Sequence, residues 1–272
     1  MVAHERRSDG LLPHPAVWQR IGELEEAARS SNAAGAETES AEPLSALYAR
    51  ATTDGELLDD GVPTLVDALQ LCDTSVFADL GSGFGGAVLR VAAAIPMRGC
   101  FGVELVGSKH AAAMTLLESL GESLVTPVKL WQGDLIEIEQ RASDPPAEED
   151  APQLGELTHA FSCSVCFDDF LLRRVAQALG NREAFPHFQA LLTLRELPSQ
   201  PYLVKVGTVR LCCTWNAEAK SHVYVPADVL EQPVEERPVA VLQRHLCTDE
   251  GVCTLPASLQ WPKGSWMGRL AT

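Results

Sequence analysis

The stretch VFADLGSGFGGAVLRVAAA, from Val76 to Ala94, places an apolar strand, a cluster of glycines and a helix in immediate succession. Glycines at Gly81, Gly83, Gly85 and Gly86 let the chain turn sharply after the strand. They also let a ligand approach the backbone beside the positive end of the following helix. The run satisfies both G-x-G-x-x-G and D-x-G-x-G-x-G. Taken alone, such a pattern leaves open a dinucleotide, an S-adenosyl nucleoside, or a tight turn that binds nothing.

What surrounds the turn is a regular alternation. Apolar strands at 76–80, 100–105 and 126–131 are separated by helical patterns at about 85–95 and 107–120. This spacing predicts βαβ units and a parallel sheet with helices on both faces. THAFSCSV (158–165) reads as a fourth strand, and FDDFLLRRVAQAL and AFPHFQALLTLREL read as helical. YLVKVGTV (202–209) reads as a fifth strand, and SHVYV and PVAVLQRHL as two short runs closing the sheet as an antiparallel pair. The fold class expected is α/β, a Rossmann-like, doubly wound, seven-stranded, mostly parallel sheet.

Residues 1–45 are expected to hold one amphipathic helix, HPAVWQRIGELEEAARS, and a flexible acidic linker. Residues 46–272 are expected to form the catalytic-sized domain, with a mobile, acidic, proline-containing insertion near 137–156.

Three acids narrow the choice of ligand. Asp79 stands two residues before the first glycine, where a carboxylate would repel a pyrophosphate but accept from the cationic end of an amino acid. Glu104 ends the second strand in CFGVEL, where a carboxylate can take both hydroxyls of a ribose. Asp134, in LWQGDL, follows the third strand, within reach of an adenine amino group. Together with Gly81, Ser82, Gly83 and Gly85 they describe a pocket for S-adenosylmethionine better than one for NAD.

FADLGSGFGGAVLRVAAA, CFGVEL and WQGDL together resemble the disruptor-of-telomeric-silencing (DOT1-like) histone lysine methyltransferases, over about residues 45 to 210. The resemblance implies a class I S-adenosylmethionine-dependent methyltransferase. It also implies a Gly-Glu loop before the first strand, matched by Gly55 and Glu56, with Glu56 folding over the methionine end of the cofactor. At the fourth strand's end the family carries an Asn-Asn pair followed by an aromatic. AFSCSVCFDD puts Cys163 and Ser164 there, with Phe161 or Phe167 as the wall of a methyl-transfer channel. The partner implied is a protein substrate, histone H3 or a nucleosome, and with it a nuclear location, a cytoplasmic one being expected otherwise.

The composition bears on the alternatives. With 37 Asp+Glu against 21 Lys+Arg the net charge is -16, so no strong intrinsic nucleic-acid binding is expected. No long uncharged apolar run or secretory signal stands out, which leads us to expect an intracellular, soluble chain without membrane contact. Cys163-x-x-Cys166 lacks a second ligand pair nearby, and no metal site is expected. Three readings besides a histone lysine enzyme stay open: a methyltransferase with another protein or small-molecule acceptor, a non-catalytic module that keeps the fold, and an NAD-dependent oxidoreductase.

Overall fold

The computed structural model describes residues 15–35, 56–144 and 152–231. Helix α1 spans Pro15–Gly35, α2 Gly61–Leu69, α3 Gly86–Ala94, α4 Gly107–Leu120, α5 Ile138–Arg141 and α6 Asp169–Leu179. The strands are β1 Val76–Leu80, β2 Gly99–Glu104, β3 Val128–Gln132, β4 His159–Ser162, β5 Ala190–Thr193, β6 Leu203–Cys213 and β7 Asn216–Pro226. They form one seven-stranded sheet in the order β3-β2-β1-β4-β5-β7-β6. β1 to β5 run parallel, and β7 is antiparallel to both β5 and β6.

The strand pleat sends alternate side chains to opposite faces, and each face has its own core. On β1, Phe77 packs with α1, α2, α3 and α4, whose contributions include Ile21, Leu65, Val88, Leu89 and Leu116. Val76, Ala78 and Leu80 point the other way, onto Ile138 of α5, Leu172 and Val175 of α6, and Phe185 and Phe188. β1 is buried along its whole length, as a central parallel strand must be. The chain leaves β1 toward β2 and β3 on one side and returns to β4 and β5 on the other. A crevice therefore opens beside β1 at the strands' carboxyl ends, where open α/β sheets bind ligands.

Several expectations need correction. AFPHFQALLTLREL is not helical throughout; it contains β5, whose four residues are all buried. A short, continuously apolar run carries no periodicity, and Pro186 already argued against a helix there. YLVKVGTV is therefore part of the sixth strand, at the sheet edge, and SHVYV lies in the seventh, its antiparallel partner. PVAVLQRHL lies outside the described residues, as do Gly55 and most of the expected linker. The fourth strand stops at Ser162, and Ser164–Cys166 is a turn of 3-10 helix. Within 137–156 the described residues include α5 and the Leu154–Glu156 turn before β4.

Candidate functional site

A cavity of about 520 Å³ lies at the carboxyl ends of the central strands. The turn after β1 forms its floor. The N–H groups of Gly81 and Ser82 both donate to Val103 O at 2.9 Å, tying the turn to β2. Gly81 has φ +85°, and a Cβ there would meet Phe167 Cζ at 2.8 Å, so the aromatic ring lies directly against the turn. Gly81, Ser82 and Gly83 line the cavity. Gly85 does not; it precedes α3 and packs toward Ala113, to which a Cβ would come within 3.1 Å.

The three strand-end acids converge on this cavity. Asp79 is 2% exposed, and its Oδ1 has no hydrogen-bond partner. Burial first, and then the Glu104 charge, raise its pKa to about 8. Glu104 accepts the Gly83 N–H on Oε2 and the Val106 N–H on Oε1, each at 2.8 Å. Each oxygen keeps a lone pair for another donor. Asp134 caps its short turn by accepting the Ile136 N–H at 3.0 Å.

Glu56 closes another side of the cavity. Its segment is pinned to the end of β6: Leu57 bridges Cys213, and Thr214 N donates to Glu56 O at 2.9 Å. The Glu56 carboxyl contacts the Arg29 guanidinium of α1. Burial first, then Glu25, push its pKa up to about 8, against the opposing pull of Arg29.

Beyond β4, Phe161, Cys163 and Phe167 line the cavity. Burial, and then the Asp79 charge, push the Cys163 thiol well above its usual range. Ser164 departs from the expectation: it is fully buried, and its hydroxyl accepts the Arg195 N–H at 3.1 Å instead of facing the cavity. The cause is the 3-10 turn, which replaces the strand alternation expected for residues 163–166 and leaves Cys163 and Cys166 both on the cavity side.

Other lining residues were not anticipated. Leu105 and Ile136 follow the acids of β2 and β3, and both remain exposed for apolar residues. Their signal was visible as an apolar residue directly after Glu104 and an apolar pair, Leu135 and Ile136, after Asp134. Lys109, in the first turn of α4, is buried and lines the cavity, with Nζ 5.7 Å from the Phe84 ring centroid. Asp168 and Phe170 stand at the start of α6, where Asp168 accepts the Leu171 N–H at 2.8 Å. Glu25 of α1 does not line the cavity but packs behind the lining residue Gly86, where a Cβ would fall 1.5 Å from its Oε1. Its Oε2 pairs with the buried Arg90 at 2.8 Å, and Arg90 Nε donates to Asp59 at 2.6 Å.

Among the described residues no cluster of three or more His, Cys, Asp or Glu is arranged to hold a metal ion. Nor is any described helix long and apolar enough to cross a membrane.

Several solved structures are similar in part. An RNA methyltransferase of Salinibacter ruber, solved with S-adenosyl-L-homocysteine, is 18% identical with a TM-score of 0.40, covering 64% of this chain and 93% of that one. TrmN of Thermus thermophilus is 15% identical with a TM-score of 0.45, covering 69% and 54%. The YcgJ protein of Bacillus subtilis is 15% identical with a TM-score of 0.35, covering 49% of each chain. The chain thus spans about half the length of the last two. No curated protein matches it in sequence. Residues 44–180 match the model of the family described as histone methylation protein DOT1, and the chain, half of which that match spans, belongs to this family.

Proposed function

We propose that the chain is an S-adenosylmethionine-dependent methyltransferase whose acceptor is a protein lysine, with a basic histone segment such as that of histone H3 as the substrate class. The observation that carries this reading is the convergence of Asp79, Glu104 and Asp134 on the cavity floored by the Gly81–Gly83 turn. The residues present fit such a cofactor. The unpartnered, buried Asp79 Oδ1 calls for a cationic donor such as an α-ammonium. Glu104 offers two acceptor oxygens to a ribose, and Leu105, Ile136 and Asp134 offer apolar contact and an acceptor to an adenine.

When bound, the cofactor supplies an electrophilic methyl group on a sulfonium. The chain's own residues would do the rest by positioning and by excluding water. Phe161 and Phe167 wall the cavity beside Gly81. Cys163 stays a neutral thiol because burial disfavours its thiolate, so it lines the site without competing as a nucleophile. Asp168, at the start of α6, puts a carboxylate on the cavity lining that attracts an ammonium-bearing side chain. That amine must then reach the site neutral, shedding its proton to solvent at the mouth.

A second reading keeps the cofactor and changes the acceptor to a non-histone protein or a small molecule. The net charge of -16 favours it, because nucleosomal DNA would repel the chain while a free basic protein would not. Nuclear location belongs to the histone reading.

Transfer of a radiolabelled methyl group to nucleosomes, free core histones and whole-cell extract separates these readings. Label on a histone lysine supports the first, and label confined to other proteins or to small molecules supports the second. Cofactor binding with no transfer to anything would favour a non-catalytic module. Binding of NAD with no response to S-adenosylmethionine would overturn the cofactor assignment.

A further inference from the structure

Helix α1 lies outside residues 44–180, yet it packs directly behind residues that line the cavity. Ile21, Glu25 and Arg29 are spaced four apart and so share one helix face. Ile21 is fully buried in the core that α1 shares with α2 and α3. Glu25 is 2% exposed and packs on Gly86. Arg29 touches Glu56 and stands 5.9 Å from the Phe84 ring centroid. Gly86 and Glu56 themselves line the cavity, so this face of α1 backs the same end of the cavity that holds Asp79.

The charges at this end are unbalanced. The carboxylates of Glu25, Glu26 and Asp59, with the carboxyls of Glu56 and Asp79 whose pKa values are raised, outnumber two guanidiniums, Arg29 and Arg90. Arg90 is 4% exposed and already divided between Glu25 and Asp59. Arg29 is 26% exposed, and besides Glu56 its partners are Glu26 at 3.4 Å and Glu25 at 4.0 Å. An amino-acid end carries both charges. The acids suit its ammonium, but its carboxylate needs a cation able to change partners, and Arg29 meets that need with a planar fork matched to a carboxylate.

We propose that α1 completes the cofactor pocket and that Arg29 binds the α-carboxylate of the cofactor, releasing Glu56 to face the α-ammonium. This rests on the S-adenosylmethionine reading above. The exchange is favoured by the state of Glu56: with its pKa near 8 the carboxyl is largely protonated at neutral pH, and a neutral partner is displaced from Arg29 more readily than a carboxylate. Lys109, whose Nζ stands 5.7 Å from the same Phe84 ring centroid, is the competing cation.

The test compares calorimetric affinities for S-adenosylhomocysteine and 5′-methylthioadenosine, which lacks the amino-acid end. Arg29→Ala is expected to weaken S-adenosylhomocysteine by about 10- to 100-fold, the range for a charge-assisted pair, and to leave 5′-methylthioadenosine within about twofold. Arg29→Lys should restore part of the loss, because it returns the charge without the fork. Equal affinity of Arg29→Ala and the unaltered chain for S-adenosylhomocysteine would overturn the proposal. So would parallel loss of both ligands, or a selective loss found in Lys109→Ala and not in Arg29→Ala. An unaltered chain that binds neither ligand would instead sink the cofactor reading, and the role of Arg29 with it, before any substitution is made.

Discussion

Glu104 accepts the Gly83 N–H at 2.8 Å, so the last residue of β2 holds the glycine turn that follows β1. Since Glu104 also holds Val106 N–H, one carboxylate fixes both the turn and the entry to α4. Glu104→Ala should weaken binding of S-adenosylhomocysteine and 5′-methylthioadenosine together, by about tenfold or more, because ribose acceptors and turn geometry are lost at once. Calorimetry checks it. A selective effect on the amino-acid-bearing ligand would place Glu104 at the wrong end of the cavity.

The raised pKa of Asp79 predicts a pH dependence. Its value is about 8 in the folded chain against 3.8 for a free side chain, so the folded state holds a proton that the unfolded state gives up. The associated stability is full below about pH 4 and is lost as pH rises through 8. Glu56, displaced from 4.5 to about 8, acts in the same direction. The melting temperature of the ligand-free protein should therefore fall between pH 5 and 9 over and above other groups' contributions, and Asp79→Asn should reduce that slope and raise the melting temperature at pH 9 by about 3 °C or more.

The same two carboxyls should announce the ligand. An ammonium beside Asp79 favours its ionised form, so binding S-adenosylhomocysteine at pH 7 should release up to about one proton per carboxyl engaged. Titrations in buffers of different ionisation enthalpy measure the release. It should diminish in Asp79→Asn, and be absent for 5′-methylthioadenosine if the amino-acid end is its cause.

Gly81 and Gly83 separate conformational strain from steric contact. At Gly81 a Cβ meets the Phe167 ring, whereas at Gly83, with φ +54°, it meets nothing within 4 Å. Both substitutions to Ala carry the left-handed penalty of about 1 kcal/mol, but only Gly81→Ala must also move the ring. Cofactor affinity should fall markedly in Gly81→Ala and by less than about tenfold in Gly83→Ala, as read by equilibrium binding.

Ser164→Ala should cost about 1 kcal/mol of stability through the lost Arg195 contact and leave substrate KM unchanged. Cys163→Ala should do the reverse, altering kcat or KM with little change in the denaturation midpoint. Thermal unfolding beside steady-state kinetics on whichever acceptor takes label distinguishes the two.

How much could be read in advance follows from periodicity. The order β1-α3-β2-α4-β3 was legible because apolar strands and helical patterns alternate there with glycine punctuation. That Asp79, Glu104 and Asp134 meet at one cavity was legible because each stands at or just past a strand end. β5 was not, since its buried run ALLT has the character of any core segment, helical or extended. Ser164 was misplaced for a related reason, because a single 3-10 turn after β4 shifts which side chains face the cavity. Arg29 and Glu25 were beyond reach: their partners lie 27 and 65 residues away, and no local pattern announces such a long-range pairing.

Arg90 sits in α3 with almost no solvent contact, and its charge is answered from α1 by Glu25 as well as by Asp59. A fragment trimmed to residues 44–180 would strand that guanidinium with a single carboxylate, and losing one partner of a buried pair costs about 3 kcal/mol or more. It would also uncover Ile21's neighbours and cut away β5, β6 and β7. A piece trimmed to that family signature is therefore expected to unfold at lower temperature and denaturant than the chain that keeps the amino-terminal helix.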